Sequence, residues 1–339
     1  MVTIDVDTLA WDKHDMMDDR TPTRLLLLML TALTLSVLAG CATNPISGDD
    51  ELMFYSVEDD FALGKAVAPE ILKYLDGRIS DEGLQRYIDR IGQKIALVCH
   101  RPDWEYHFTA VEHESVNALA LPGGYIYITR GMLEKLETEA QLAAILGHET
   151  THVVARHSMA QMSKKRVMDA ATLATLVSGE APPEVMQLTM ITNQVMTMQY
   201  SRQDEKEADL AGLDYMVAAG YDPNGMLEIM RILQKEHPGG KQYEFFSTHP
   251  HPENRFYYIQ RKIDLRYPST RDLRIGRDTY QAKIAEYLET HPKRKKSKRE
   301  REMLEAQQQF RGAGPWNSEE IQGRDPQRWP PSHRHLHRP

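Results

Sequence analysis

The chain has 339 residues, 41% of them hydrophobic and 27% charged, with a formal net charge of -8 at pH 7. This length allows one main domain with a sizeable core, and the composition is that of a globular protein. The mildly acidic balance argues against a protein that binds nucleic acid through a basic surface, so no nucleic acid is expected among the partners.

The N-terminus has the features of a secretory leader. Residues 25–37 form an apolar run that is short for a membrane span but has the length of a signal-peptide h-region. The sequence Leu-Ala-Gly and then Cys41 follows, an order that resembles a bacterial lipobox, where the Cys is lipidated and becomes the first mature residue. Residues 1–40 are therefore predicted to be a signal peptide. The next residue is Ala42 rather than Asp, which in bacteria with two membranes resembles the signal for release to the outer membrane.

Two alternatives are open for this leader. The apolar run would also serve as an uncleaved N-terminal anchor helix. The residues that precede it contain several Asp, unlike the positively charged start of a signal peptide. A true start at Met16 or Met17 would leave Arg20 and Arg24 as the positive flank.

The chain then changes from an expected short tether at 41–56 to a domain expected over 57–290. Residues 57–75 and 81–98 have the spacing of helices with one core-facing stripe. Residues 106–110 alternate between apolar and polar side chains, as a half-buried strand does.

A hairpin is predicted next. Pro122-Gly123-Gly124 has turn chemistry, and the residues at 125–129 are β-branched and aromatic. An exposed edge beside the helix that follows could hold an extended peptide by strand addition, although the hairpin could equally serve only to cover the core. The candidate substrate strand consists of Asn117, Ala118, Leu119 and Ala120.

The pattern HExxH occurs in the middle of a predicted helix, as His148-Glu149-x-x-His152. Residues four apart share a helical face, so the two imidazoles can bind one metal ion, with Glu149 beside them. Such a pair suits zinc and leaves a coordination site for a water, from which Glu149 can take a proton. The pattern also arises by chance, but Thr138 and Gln141 have capping-box spacing, and three polar groups on a buried helix are costly without partners.

A second polar pattern contains Glu205 and Asp209, which are four apart and so share a helical face. A third ligand from a separate helix would complete His, His, Glu coordination and leave one site open. Asp209 could then hydrogen-bond a ligand and orient it. Taken alone, this pattern is also typical of a solvated acidic helix.

With both patterns present, the sequence resembles the gluzincin family that includes the CAAX prenyl endopeptidases and bacterial periplasmic or outer-membrane quality-control lipoprotein peptidases. The resemblance covers roughly 47–261. It implies a mostly helical α+β, zincin-like catalytic domain with a small sheet or hairpin beside the HExxH helix, and one zinc ion per chain. The matching motifs are His148-Glu149-Thr150-Thr151-His152, Asn117-Ala118 with Pro122-Gly123-Gly124, Ser201-Arg202 with Glu205-Lys206-Glu207-Ala208-Asp209, and Thr248-His249-Pro250 with Pro252 and Arg255.

The same resemblance implies roles for individual residues. His148, His152 and Glu205 would be the zinc ligands, with Asp209 supporting them and Glu149 as the catalytic base. His249 and Arg255 would be catalytic residues that line the site, where they could stabilise an oxyanion. In some periplasmic relatives the matching His instead occupies the open zinc site and holds the enzyme off, and both roles are open here. The histidines His113, His157 and His251 match no ligand position and receive no role.

The remaining segments are predicted to be helices and a tail. Helical spacing predicts helices at 167–177, 224–236, 252–264 and 279–289. The chain at 291–339 is basic and rich in Gln, Pro, Arg and His, a composition typical of a disordered tail.

The resulting hypothesis is a zinc-dependent metalloendopeptidase, lipid-anchored at the outer membrane and facing the periplasm. The resemblance implies quality control of unfolded or misassembled envelope proteins as its substrates, with loose sequence selectivity. CAAX cleavage is not expected, because no multi-span membrane domain is present to admit a prenylated substrate. The alternative is a zinc-stabilised, chaperone-like lipoprotein that binds chains without cleaving them, against which Glu149 argues because a structural site does not need it.

Overall fold

A computed structural model describes residues 40–173, 191–192, 194, 198–234, 245–249 and 254–292. The chain divides into two units, with the boundary between Tyr287 and Leu288. Most of the predicted leader, the residues after 173 of the helix expected at 167–177, the histidine at 251 and nearly all of the predicted tail lie outside the described residues.

The described part is mostly helical with two small sheets, which confirms the predicted α+β class. Before the HExxH segment come β1 Cys41–Thr43, β2 Asp50–Leu52, α1 Val57–Tyr74, α2 Glu82–Ala96, β3 His107–Val111, β4 Ala118–Ala120, β5 Tyr125–Thr129 and the short α3 Arg130–Leu133. The HExxH segment and the residues after it form α4 Glu139–Val154, α5 His157–Leu173, α6 Arg202–Ala218, α7 Asn224–Gln234, the short α8 Phe245–Thr248, α9 Arg255–Arg266 and α10 Arg277–Thr290.

The larger sheet has the strand order β3-β5-β4. Its central strand β5 pairs in parallel with β3 and antiparallel with β4, and the predicted turn between β4 and β5 is a short 3-10 segment. Thr129 N donates to Asn117 O, and Leu121 N donates to Tyr125 O. Because an antiparallel ladder alternates, the backbone groups of Ala118 and Ala120 point away from β5, toward the outer edge of the sheet.

Helix α4 is buried along its whole length, and its N-terminus is capped by a side chain. Thr138 Oγ1 accepts a hydrogen bond from Gln141 N at 3.1 Å, as the capping-box spacing predicts. The return bond differs from the usual box, since Gln141 Oε1 accepts from Glu137 N, one residue before the cap.

Helices α4 and α6 touch through glycines. A Cβ on Gly212 would lie 2.7 Å from His148 N and 2.8 Å from Gly147 C. Only a residue without a side chain fits there, because the atoms in the way are backbone. This contact places the ligand candidates of α4 directly against those of α6.

The segment expected to be a tether is folded onto the domain. Strands β1 and β2 form an antiparallel hairpin, in which the side chain of Asn44 is buried. Phe54 N donates to Ser163 Oγ, and Met53 packs among methionines of α5. Residues 167–173 of the helix predicted at 167–177 belong to a longer helix, since α5 begins at His157 and ends at Leu173.

Within the described ranges, none of the helices combines the length and the apolar composition that a membrane span requires.

We expect Gly212→Ala to lower the free energy of unfolding by about 1–3 kcal/mol, the usual cost of forcing atoms into a packed region. The matched control is Gly83→Ala in α2, where the atoms nearest the new Cβ are the side-chain ends of Asp81 and Lys283. There the better helix propensity of Ala, up to about 1 kcal/mol, should offset the crowding. Urea denaturation of both variants checks this, and equal stability losses would contradict the close-contact argument.

Candidate metal centre

Four elements bring seven polar side chains to one buried place. Helix α4 supplies the HExxH residues, α6 supplies the two acidic residues, the end of α8 supplies a histidine, and the start of α9 supplies an arginine. All seven side chains belong to residues that are at most 1% exposed, namely His148, Glu149, His152, Glu205, Asp209, His249 and Arg255. Such burial of polar groups is costly unless they are paired with one another or with a metal ion.

Three predicted ligands converge on one point. The Nε2 atoms of His148 and His152 are 3.1 Å apart, and Glu205 Oε1 is 3.4 Å from the Nε2 of His152. Glu205 Oε2 is 3.6 Å from the Nε2 of His148. Ligand atoms bound at about 2.0–2.2 Å to a tetrahedral zinc lie about 3.3–3.6 Å from one another. The observed separations are close to this spacing, so the donor set fits such an ion.

Hydrogen bonds on the far side of each imidazole set its tautomer. His148 Nδ1 is 3.1 Å from Asp209 Oδ1, and a carboxylate can only accept, so the Nδ1 atom carries the proton. His157 Nε2 donates in the same way to Glu207 Oε2 at 2.8 Å, which leaves the Nδ1 of His157 as an acceptor. His152 Nδ1, at 2.8 Å, therefore donates to it. Both Nε2 atoms then direct lone pairs at the same point, an arrangement that a cation stabilises.

The charges around this point are balanced by Arg255. Its guanidinium donates to Asp209 Oδ1 at 2.6 Å and lies 3.3 Å from Glu205 Oε2. Although burial opposes ionisation, Arg255 lowers the pKa of Asp209, and His249 lowers the pKa of Glu205 well below its ordinary value. Both carboxylates are thus ionised. Because Arg255 contacts both carboxylates, it orients both.

Glu149 lies beside the donor cluster without joining it. Neither of its carboxylate oxygens has a hydrogen-bond partner in the described part of the chain, and the nearest basic nitrogen is His249 Nε2 at 3.5 Å. Burial raises the pKa of Glu149. A carboxylate in this setting is a stronger base than one in water, which suits proton abstraction.

His249 is placed among the predicted ligands rather than only near them. Its Nδ1 atom is 2.9 Å from Glu205 Oε1 and 3.3 Å from His148 Nε2, so it stands where a fourth donor would. Its ring stacks on Phe245, with centroids 4.3 Å apart. Burial opposes the charged form, but the carboxylates of Glu205 and Glu149 raise the pKa of His249.

Three contributors to the site were not predicted. His157 and Glu207 form the hydrogen-bond chain behind His152, and Tyr200 stacks on the His152 ring with centroids 3.8 Å apart. Both Glu207 and Tyr200 belong to the stretch that carries Glu205, which is the only sequence signal that pointed to them. The candidate substrate strand, beginning at Asn117, forms the edge of the sheet beside α4.

Comparison with known proteins gives two groups of relatives. The chain is 31% identical over 195 residues to the mitochondrial metalloendopeptidase OMA1 of Schizosaccharomyces pombe, covering 57% of this chain and 56% of the relative. It is 24% identical over 214 residues to the beta-barrel assembly-enhancing protease of Escherichia coli, covering 60% of this chain and 44% of the relative. A Vibrio cholerae protein whose name also refers to beta-barrel assembly is 30% identical over 186 residues, covering 52% and 38%.

The chain thus spans about two fifths to just over half of the length of these relatives. The model of Peptidase family M48 matches residues 82–263, more than half of the chain. This range contains the HExxH helix, the sheet edge, Glu205 and His249. The match confirms the predicted zinc-peptidase family and the metallopeptidase class: this protein belongs to Peptidase family M48.

Proposed function

We propose that the protein is a zinc-dependent endopeptidase that cleaves extended or misfolded polypeptides in the bacterial envelope, anchored there as a lipoprotein. The observation that carries the proposal is the pairing of a convergent donor set with Glu149, a buried carboxylate that is free of hydrogen bonds within the described residues. A purely structural metal site has no use for such a carboxylate.

In the proposed reaction, His148, His152 and Glu205 hold one zinc ion, and His249 withdraws. Zinc, when bound, would lower the pKa of a coordinated water and polarise the peptide carbonyl. Glu149 would accept the proton of the attacking water and pass it to the leaving amine. Asp209, through its bond to the Nδ1 atom of His148, keeps the lone pair of that ligand directed at the site.

The sheet edge supports an extended substrate. The outer backbone groups of β4 lie next to α4, whereas the other edge strand β3 is covered by side chains of α2. There Gln85 Nε2 donates to Ala110 O, and Ala110 N donates to Gln85 Oε1. Of the two edges of this sheet, the one beside the metal centre is therefore the candidate for a further strand, and backbone pairing would give loose sequence selectivity.

The proposed location rests on the lipobox-like sequence that ends in Cys41, which is exposed at the start of β1. The name of the Escherichia coli relative refers to assembly of β-barrels, which supports a role in envelope quality control. The mitochondrial relatives belong to a different compartment, so the family match alone does not choose between the two.

We further propose that the observed arrangement is a latent form of the enzyme. The imidazole of His249 occupies the fourth donor position, and Phe245 N donates to Val116 O, just before the substrate strand. The segment 245–249 therefore covers both the metal site and one end of the sheet edge.

We expect Glu149→Gln to lower casein cleavage by about 10²–10⁴-fold, because it removes the proton acceptor, while zinc stays near one per chain. The control is Glu58→Gln, at an exposed position of α1. The assay is casein degradation by the purified soluble form that starts at Ala42, with bound zinc quantified in the same preparation. If wild type and variant are equally inert, also when each carries His249→Ala, and both capture unfolded chains, the non-cleaving alternative is correct.

We expect His249→Ala to raise the rate of casein cleavage, because it empties the fourth donor position. An oxyanion-stabilising role would instead lower the rate by about 10²–10³-fold, so the sign of the change decides between the two roles. His113→Ala serves as control, since His113 pairs with Asp76 on the surface, away from the centre.

We expect the mature chain to begin at an acylated Cys41. Mass spectrometry of the N-terminal peptide from the membrane fraction measures this, and Cys41→Ser should abolish incorporation of labelled fatty acid. Cys99→Ser should leave incorporation unchanged, because Cys99 is buried against Tyr106. An unprocessed N-terminus would favour the anchor-helix alternative.

A further inference from the structure

We propose that His157, Glu207 and Asn44 are positioning residues for the metal ligand His152, and that the N-terminal hairpin thereby takes part in metal binding. The proposal rests on the proposed zinc site. It adds that the affinity for the metal depends on a hydrogen-bond chain that leads from that site to the hairpin β1–β2.

The hydrogen-bond chain starts at the side of the His152 imidazole that faces away from the metal site. Its Nδ1 atom lies 2.8 Å from His157 Nδ1, and the side chain of His157 is fully buried. Tyr200 stacks on the flat face of the His152 ring, at an interplanar angle of 17°. The stacked ring opposes tilting and the hydrogen bond opposes rotation, so the direction of the His152 Nε2 lone pair is fixed from two sides.

A break in the helix makes this contact available. Along a continuous helix, residues five apart are turned by about 140° from each other and do not meet. Here α4 ends and α5 begins around Arg156, whose φ of 57° is left-handed. The guanidinium of Arg156 holds this turn by donating to both carboxylate oxygens of Asp60 and to the carbonyls of Tyr55 and Ser56.

The hydrogen-bond chain continues from His157 to the carboxylate of Glu207, which the side-chain amide of Asn44 also binds. His157 Nε2 donates to Glu207 Oε2 at 2.8 Å, and Asn44 Nδ2 donates to the same oxygen at 2.9 Å. Asn44 Nδ2 also donates to Glu51 Oε1 at 2.9 Å, so the amide separates two carboxylates. Asn44 Oδ1 accepts from Ile46 N, a turn that fixes the amide within the hairpin.

With His157 neutral, each imidazole nitrogen in this hydrogen-bond chain can act in one direction only. Because Glu207 only accepts, the proton of His157 is on Nε2, and because His157 Nδ1 then accepts, the proton of His152 is on Nδ1. The lone pair on His152 Nε2 follows from these constraints. Partners of this kind behind a ligating histidine typically affect metal affinity by about 10–100-fold.

The experiment measures zinc affinity of the full chain rather than cleavage. The metal is removed with a chelator, and zinc is titrated back in competition with a coloured chelator. We expect His157→Ala to raise the zinc Kd by about 10–100-fold. His157→Asn should retain most of the affinity, because an Asn carbonyl oxygen can accept from His152 Nδ1 where the ring nitrogen did.

Asn44→Asp tests the distant end of the chain. It keeps the oxygen that closes the turn but replaces the donor between Glu207 and Glu51 with a third carboxylate oxygen, so the zinc Kd should rise. Asp50→Asn is the matched control, since Asp50 lies in the same hairpin and only pairs with the exposed Thr43. That variant should bind zinc like the wild type.

The outcomes separate the two proposals. A wild-type chain that binds no zinc would defeat the proposed function itself. If the wild type binds zinc and the zinc Kd is unchanged in His157→Ala and Asn44→Asp, only the proposed role of the hydrogen-bond chain is wrong. This holds even if the metal-free variants unfold more easily. If His157→Ala does not fold, Asn44→Asp and the rescue by His157→Asn decide the question.

Discussion

The metal centre depends on the close approach of α4 and α6 at Gly147 and Gly212. At this contact the two helices meet backbone to backbone, so the distance between them is shorter than side chains would allow. His148 follows one glycine directly, and Glu205 lies two turns before the other on the opposite helix. The separation of the ligand atoms is therefore set by packing in the core, and a metal ion that binds there meets donors already at the right spacing.

A buried cluster of this kind is stable because most of its polar groups are paired with one another. Asp209 accepts from His148, Arg255 and the hydroxyl of Tyr258, which gives one carboxylate three donors. Glu149 receives no hydrogen bond on either oxygen from the described residues. Glu205 Oε2 and the Nε and Nη1 atoms of Arg255 also lack one, but Nη1 and Oε2 form an ion pair at 3.3 Å. A buried carboxylate without hydrogen bonds lowers the stability of the fold by about 1–3 kcal/mol. Such a cost is common at residues that take part in catalysis.

Residue spacing predicted much of the fold and the identities of the central residues. A separation of four along a helix places His148 and His152 on one face whatever surrounds them, and the glycine and β-branched pattern predicted the hairpin. Contacts that depend on a break in regular structure could not be predicted. His157 reaches His152 only because the helix ends at Arg156, and Asn44 is buried only because a hairpin forms where the composition indicated a tether. His249 directly precedes Pro250, and the restriction that a Pro places on the backbone before it does not tell where the imidazole points.

The fold of the hairpin also limits how far the protein could reach. If Cys41 carries a lipid, only two residues separate the anchor from Asn44, and Asn44 is already buried in the domain. A lipid-anchored enzyme with a long linker after its anchor can reach substrates far from the bilayer, but this one would work close to the membrane surface. Polypeptides that stay bound at that surface would then encounter the metal centre far more often than polypeptides that diffuse freely.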